Sequence, residues 1–466
     1  MTQDLKPYPA YKDSRAPWLG QVPEHWAQLA LWTVSTRRAE RNPGNLPLLS
    51  VFLNLGVIPY EQGGGQVHAP SIDLSSYQLV QPGDFVLNNQ QAWRGSVGVS
   101  RYRGIISPAY IVLRLSTRLE ASFANYLMRS PRMVDQFVVA SKGVGDIQRQ
   151  IYWPYLRLVQ VPLPPLPEQA AIVRFLDHYD HLIRRYLRAK RKLIALLNEQ
   201  KQAIIHRAVT RGLDPSVRLK PSGVEWLGDI PEHWEVVPNR SLMSPRKQIV
   251  GDRSGEFTLL SLTLRGIVPR DLDNPQGKFP SDFATYQVVE PADLVFCLFD
   301  MDETPRTVGM ATVRGMVTGA YTVFHCSDPD TARFLHLFYE SLDELKGLRP
   351  FYTGLRKVVR TSTFLSIRVA IPPKNELSQI LSLVALEITE LETAIGRVQR
   401  EINLVREYRA RLIVDVVTGK LDVREASANL PEEPEETEEL EEAESADGEF
   451  EDEEAGSEAD TAEVLA

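Results

Sequence analysis

The chain has 466 residues, 24 % charged and 43 % apolar, with a formal net charge of −9; at roughly 150 residues per domain it is an ordinary globular chain of about three units. Two cysteines, Cys297 and Cys326, exclude a disulfide framework and, without heavy help from histidine, a four-ligand zinc site. The net charge conceals a division: 18 of the 61 acids lie after Leu430, where there is no Lys or Arg, so residues 1–430 carry 43 acids against 52 bases, a net of +9.

The first ten residues are polar, contain two prolines and lack the apolar core of a signal peptide, and no run of 18 apolar residues follows. The reading is a soluble, cytoplasmic protein with no membrane partner. The segment Trp18-Leu-Gly-Gln-Val-Pro-Glu-His-Trp26 then returns as Trp226-Leu-Gly-Asp-Ile-Pro-Glu-His-Trp234, at an offset of 208. Further echoes keep the order and an offset of 208 to 211: Leu48-Leu49-Ser50 with Leu259-Leu260-Ser261, Tyr77 to Asp84 with Tyr286 to Asp293, Arg103-Gly104 with Arg314-Gly315, Pro164-Pro165 and Glu168 with Pro372-Pro373 and Glu376, Val209-Thr210 with Val417-Thr418. A period this long is a domain duplication and not a solenoid repeat.

Each copy divides in two. Its first three-quarters is rich in Gly, Pro and β-branched residues, with alternating runs such as Tyr110 to Leu115 and Tyr321 to His325 that predict strands and tight turns. Its last quarter is helical. In the second copy Leu377, Leu381, Val384, Ile388, Leu391, Ile395, Val398, Ile402, Val405, Leu412 and Val416 form a coiled-coil seam, broken where Arg409 takes an apolar slot. In the first copy Ile172, Leu176, Tyr179, Ile183, Tyr186, Leu193, Leu197 and Ile204 repeat it, with Lys190 and Gln200 interrupting. Each helix of about 44 residues would span roughly 65 Å, and the ~3.5-residue period favours packing the two stripes together at a shallow left-handed crossing. The expected fold class is therefore α+β multidomain: two mixed α/β domains at residues 1–165 and 213–373, joined by long helices at 166–212 and 374–420 that pack as an antiparallel coiled coil in a dumbbell. A disordered acidic tail at 421–466 completes it.

The prolines and Glu168 or Glu376 before each helix read as start signals, since proline fixes φ and a carboxylate complements the positive helix end. Gly212 and Gly419 fit the C-terminal caps, and Arg218 to Pro221 is the natural linker. The paired Glu-His-Trp invites a catalytic reading for His25 and His233; two aromatic anchors docking the module's opening segment on its core is the plainer account. His178 and His181 have a spacing metals can use but no third cluster joins them, and Gly63 to Gly65 lacks the Gly-Lys-Ser/Thr of a phosphate loop. Cys297 and Cys326 read as small apolar strand residues. No methyltransferase tetrapeptide, dinucleotide fingerprint, Walker A motif, His-Glu-x-x-His or Gly-x-Ser-x-Gly is present. The sequence therefore proposes binding and no catalytic residue.

The two Trp-Leu-Gly-x-Ile/Val-Pro-Glu-His-Trp openings, the stretch Asn88 to Gly95 leading to Ile105 to Tyr110, and Pro164 to Gln169 entering a helix that ends at Ala208 to Pro215 resemble the specificity subunit of type I restriction-modification systems, from about residue 8 to 424. The resemblance implies a subunit without a catalytic centre, in which each half is a target recognition domain reading one part of a bipartite duplex DNA site and the coiled coil sets their spacing. It implies two modification subunits as partners, which bind S-adenosylmethionine and methylate adenine, and restriction subunits using ATP and Mg where the system has them; no cofactor is expected in this chain. The +9 body supplies phosphate attraction, a ~65 Å helix matches roughly two turns of B-DNA at ~34 Å each, and non-identical modules predict a non-palindromic site.

For base and phosphate contact the first module offers Asn89, Gln90 and Gln91 for adenine edges and Arg94, Arg101 and Arg103 for guanine or phosphate, followed by Lys142, Gln148 and Arg149. The aligned places of the second hold Asp302, Glu303, Arg306 and Arg314, then Arg356, Lys357 and Arg360. Two alternatives stay open at this level: a coiled-coil scaffold whose globular ends bind proteins, and a specificity subunit of a methylation-only or phage-defence complex without restriction.

Overall fold

The structure is a computed structural model that describes residues 5–53, 55–63, 70–71, 73–144, 148–270 and 283–431. The acidic segment 432–466, Gly64, Gly65 and the side chain of Gln148 lie outside the described residues. The described chain falls into two units, residues 5–190 with 400–431 and residues 191–399. Each unit thus takes one strand-rich module, part of the first long helix and part of the second.

In the first unit, β1 (Ser35–Arg37), β2 (Asp84–Asn88), β3 (Val97–Val99) and β4 (Tyr110–Leu115) form a sheet in the order β1-β4-β2-β3. Alternate residues serve opposite faces: Phe85, Leu87, Ile111 and Leu113 enter one core while Val86 and Val112 enter another with Leu49, Val51 and Val57. Burial on both faces is why these strands read as nearly continuous apolar runs. The helices α1 (Ala121–Arg129) and α2 (Pro131–Val139) contribute Phe123, Leu127, Met133 and Phe137 to the first core. The carboxylate of Glu120 caps α1 by accepting from the Ser122 and Phe123 amides, and Pro131 opens α2. A hairpin of β5 (Ser141–Val144) and β6 (Gln148–Ile151) follows, with Lys142 opposite Gln150 and Gly143 opposite Arg149. The strand expected over Tyr110 to Leu115 is β4.

The second unit repeats the sheet with β7 (Met243–Pro245), β8 (Leu294–Phe296), β9 (Val308–Met310) and β10 (Thr322–Cys326) in the order β7-β10-β8-β9. Where the first unit has two helices interrupted at Pro131, the second has one, α4, following the long helix α3 (Leu166–Arg211) in the chain and spanning Pro329–Glu344. Every ladder between strands in the described residues is antiparallel, with single parallel bridges at Leu48–Ile105 and Leu259–Met316, so the modules are α+β.

The helix α3 has 46 residues and the second long helix, α5 (Lys374–Val417), has 44. Within each unit their segments lie side by side and run antiparallel: Lys190 pairs with Glu401 at 2.9 Å and Asp180 with Arg409 in the first unit, Lys201 with Glu392 at 2.7 Å in the second. The α5 seam is buried or half-buried at all of its predicted positions. The α3 stripe is not: Tyr186 and Leu193 are exposed, and burial passes to Leu187 and Ile205. The interruptions carry charge pairs that displace the register, because Tyr186 and Lys190 both reach Glu401 and the Arg409 that breaks the other seam meets buried Asp180.

The helix ends are closed as the glycines suggest, with φ of +72° at Gly212 and +77° at Gly419. A Cβ at Gly419 would come within 2.3 Å of Pro23 Cδ, and one at Gly212 within 2.6 Å of Glu376 Oε1 at the start of α5 and 3.3 Å of the Trp234 ring, so each glycine also leaves room for a module's opening segment. Past Gly419 the chain does not at once become the expected tail. Val423 is fully buried in the first core, Asp422 donates its amide to the Lys6 carbonyl, and Arg424–Ala428 is a helical turn. The apolar pair Leu421 and Val423 holds this stretch on the fold, so the purely acidic segment starts beyond Leu430.

Candidate nucleic-acid interface

The motifs shared by both copies build framework. Glu168, in the first turn of α3, is 5 % exposed and accepts from the Tyr8 hydroxyl at 2.7 Å and Trp26 Nε1 at 2.8 Å, with His25 Nε2 at 2.7 Å. Burial first, and then the bond to Glu168, push the Tyr8 hydroxyl well above its ordinary pKa. In the second unit Glu376 takes the same place, with His233 Nε2 at 2.6 Å and Trp234 Nε1 at 3.2 Å. Both histidines therefore brace a carboxylate that also faces the positive end of a helix.

Two more repeated residues work the same way. Asp84 is held by Arg38 through Nε and Nη2 at 2.7 and 2.9 Å, and Asp293 by Arg246. Each of these aspartates also accepts the amide three residues before it. Gln78 and Gln287 donate to the carbonyls of Tyr110 and Tyr321.

Two candidate segments of the first module meet. The Ile151 amide donates to the Asn89 carbonyl at 3.0 Å, joining β6 to the end of β2. Above that junction Trp93, whose Nε1 donates to the Gln90 carbonyl, lies under two guanidiniums, Arg94 at 4.6 Å and Arg149 at 5.8 Å from the ring centre. Lys142 sits 3.6 Å from the Tyr152 ring and 5.0 Å from Tyr155. Gln90 and Arg94 are exposed, Gln91 is half-buried, and the buried Oδ1 of half-buried Asn89 has no hydrogen-bond partner among the described residues. Gln148 opens β6. Arg101 and Arg103 are exposed on the turn after β3, at the opposite end of that strand from Trp93. Trp93, Tyr152 and Tyr155 are not among the candidates that the sequence proposes; the signal for them is an aromatic two residues after a polar Asn-Asn-Gln-Gln run and two tyrosines beside a basic segment.

The second module repeats the junction with different chemistry. The Val359 amide donates to the Leu298 carbonyl at 2.9 Å. This equivalence sets Asp302 and Glu303 where the first module has Trp93 and Arg94, and Lys357 where it has Arg149. Lys357 pairs with Asp302 at 3.2 Å and Glu303 at 2.9 Å, and Arg356 grips Asp300 through Nε and Nη2. Arg349 also reaches Asp302, at 3.1 Å, and the hydrogen bond to Arg349 leads the effects that hold the Asp302 carboxyl below its ordinary pKa. Arg306 faces Glu340 and Glu344 of α4, with its side chain 11 % exposed. Arg314 is exposed, pairs with Glu290 at 3.1 Å and lies over Phe257. Arg360 is exposed at the start of a short helix, in the place of Tyr152.

Among the described residues no helix is long and apolar enough to cross a membrane. No family model matches the chain. It is 23 % identical over 347 residues to the type I restriction enzyme MjaVIII specificity subunit of Methanocaldococcus jannaschii, an alignment covering 69 % of this chain and 75 % of that protein. It is 28 % identical over 175 residues to the putative MjaX specificity subunit of the same organism, covering 35 % and 38 %. A solved chain described for complex assembly and conformational transition of the type I R-M system shares the fold with a TM-score of 0.61 at 15 % identity, over 86 % of this chain and 99 % of that one. The likeness that the paired motifs suggest thus extends over most of the chain in sequence and in fold.

Proposed function

The chain is a relative of the specificity subunits of type I restriction enzymes, and from that premise we propose that it is the non-catalytic reader of a bipartite, non-palindromic duplex DNA site. In this reading it works in the cytoplasm and docks two modification subunits that bind S-adenosylmethionine and methylate adenine. Where the system restricts, it also docks two restriction subunits that use ATP and Mg.

One observation carries the reading. Two copies of one framework, tied by the same buried bonds, present different chemistry at the same junction: Trp93 under Arg94 and Arg149 in the first, Asp302 and Glu303 paired with Lys357 in the second. Arginine suits guanine edges and phosphates, and an acid can accept from the cytosine amino group. Modules that differ there would read different half-sites. Phosphate contacts from the basic body would make affinity fall steeply with salt, and helix length would fix the spacing of the halves.

The test is an exchange of residues 1–165 for the corresponding segment of another specificity subunit, followed by sequencing of methylated adenines. One half of the methylated motif should change and the other should stay. A wholly unchanged motif would overturn the proposal, as would partner binding that is insensitive to salt without any retention of duplex DNA.

A further inference from the structure

The turn that carries Arg356 and Lys357 in the second module is braced all around its tip. Thr353 and Val358 exchange both backbone hydrogen bonds, at 2.9 and 3.0 Å, the Thr353 hydroxyl donates to the Val358 carbonyl at 2.9 Å, and the Lys357 amide returns to the Gly354 carbonyl at 3.2 Å. One flank is tied to the chain that follows β8. The Asp300 amide donates to the Arg356 carbonyl at 2.8 Å, and the Arg356 guanidinium grips the Asp300 carboxylate and lies 5.5 Å from the Phe299 ring centre. Lys357 Nζ is shared between Asp302 and Glu303. At the tip stands Leu355, and no large apolar side chain among the described residues is more exposed.

Single exposed leucines are common and carry no message by themselves. This one is held out by uncommon backbone: Asp300 and Lys357, on the two sides of the same contact, both have a φ of +46°, the left-handed region that residues other than glycine rarely adopt. Such strain persists only where the surroundings over-determine it, and it gathers at ligand clamps. The neighbours of Leu355 indicate which ligand. Arg356 keeps a side chain that is 59 % exposed even while paired, and exposed Arg360 stands at the base of the turn. That base is also the junction of Leu298 with Val359 at the candidate interface. A rigid apolar point between two cations matches duplex DNA, in which phosphates flank a stack of apolar base faces.

Resting on the DNA-reading role proposed above, we propose that Leu355 is a wedge that enters the duplex between two base pairs of the half-site read by the second module, with Arg356 and Arg360 on the flanking phosphates. An apolar side chain inserted in this way unstacks one base step and kinks the duplex. Pyrimidine–purine steps, TA or CA/TG, yield most readily, so the second module selects sequence there through deformability, without a hydrogen bond to a base.

The half-site of the second module is the half of the methylated motif that stays when residues 1–165 are exchanged. Duplexes containing the whole motif, with 2-aminopurine at successive positions of that half, are titrated with the full-length chain and its modification subunits. Fluorescence should rise several-fold at one step. Leu355→Ala should remove the rise and weaken specific binding several-fold, whereas Leu386→Ala, at an exposed leucine of α5, should change neither. Specific binding with no rise at any step of that half, or an undiminished rise in Leu355→Ala, would overturn the wedge and leave the DNA-reading role standing. Absence of specific duplex binding by the native chain would overturn both. Retention of the native chain but not of Leu355→Ala on phosphatidylglycerol vesicles, with equal duplex responses, would assign the tip to a lipid surface and overturn the wedge as well.

Discussion

The Glu168 junction gives the sharpest stability prediction. In Glu168→Ala the Tyr8 hydroxyl and Trp26 Nε1 lose their acceptor while lying 3 % and 0 % exposed. A buried donor left unsatisfied costs about 1–3 kcal/mol. The half-open His25, whose side chain is 41 % exposed, can turn to water and adds little. The sum for the two donors is about 2–6 kcal/mol, to which the loss of a carboxylate at the helix start adds up to about 1 kcal/mol. Glu376→Ala removes a carboxylate that is 22 % exposed and that leaves one buried donor, Trp234 Nε1 at 3.2 Å. The same reasoning gives about 1–3 kcal/mol there. Glu168→Gln keeps an acceptor oxygen and should cost less than Glu168→Ala. The measurement is urea unfolding of the full-length chain, with hydrogen exchange to locate the loosened segment, which should be the opening of the first module and the start of α3. If Glu376→Ala costs as much as Glu168→Ala, or if Glu168→Ala costs under about 1 kcal/mol, counting buried donors is the wrong account of these motifs.

At the helix seam, Asp180→Leu alone should destabilise by about 1–3 kcal/mol, because Arg409 loses its carboxylate partner but keeps a side chain that is 38 % exposed, whereas the double variant with Arg409→Leu should return towards native stability; thermal unfolding of both decides this. Burial of Asp180 raises its pKa, but Arg409 and then Arg184 outweigh that and hold it below the ordinary value. Its contribution is therefore present above the unfolded carboxyl pKa of about 4 and lost as pH falls through the depressed folded value, so the native and double-Leu chains should diverge only below about pH 4. Burial pushes the Cys326 thiol up to about 12 and raises that of Cys297. Neither should react with a disulfide reagent at pH 8 until urea unfolds the chain, and prompt reaction of the native protein would contradict their placement. At the candidate interface, Arg149→Ala and Trp93→Ala should each weaken specific duplex binding by about ten-fold in competition gel shifts, while Arg306→Ala should leave it within about two-fold because that guanidinium is spent on Glu340 and Glu344.

The repeat was legible because each shared motif residue answers a buried requirement that both copies have. Trp26 and Trp234 need an acceptor, the Asp84 and Asp293 turns need an arginine, and the Gly212 and Gly419 caps need space against the opening segments. The α3 stripe was legible only in part. A heptad count assumes that apolar residues alone decide the register, and here Asp180, Tyr186 and Lys190 enter the seam as polar partners of α5 and turn Leu187 inward. The acidic region looked longer than it is because the apolar residues at 421 and 423 are too few to signal a packed segment, although Val423 is fully buried.

The candidate interface was least legible for a different physical reason. Trp93 and Arg149 are 56 positions apart and meet because a hairpin folds back to pair with the end of β2; no local pattern encodes such a meeting. The duplication itself supplies the missing information. Where the two copies agree, the residue satisfies a bond that folding requires twice, as at Gln78 and Gln287. Where they differ on the same backbone junction and remain exposed, folding has left the position free, and Arg94 against Glu303 is such a place. Comparing one chain with itself therefore separates framework from interface, and it puts the junction of Asn89 with Ile151 and of Leu298 with Val359 at the head of the positions to mutate.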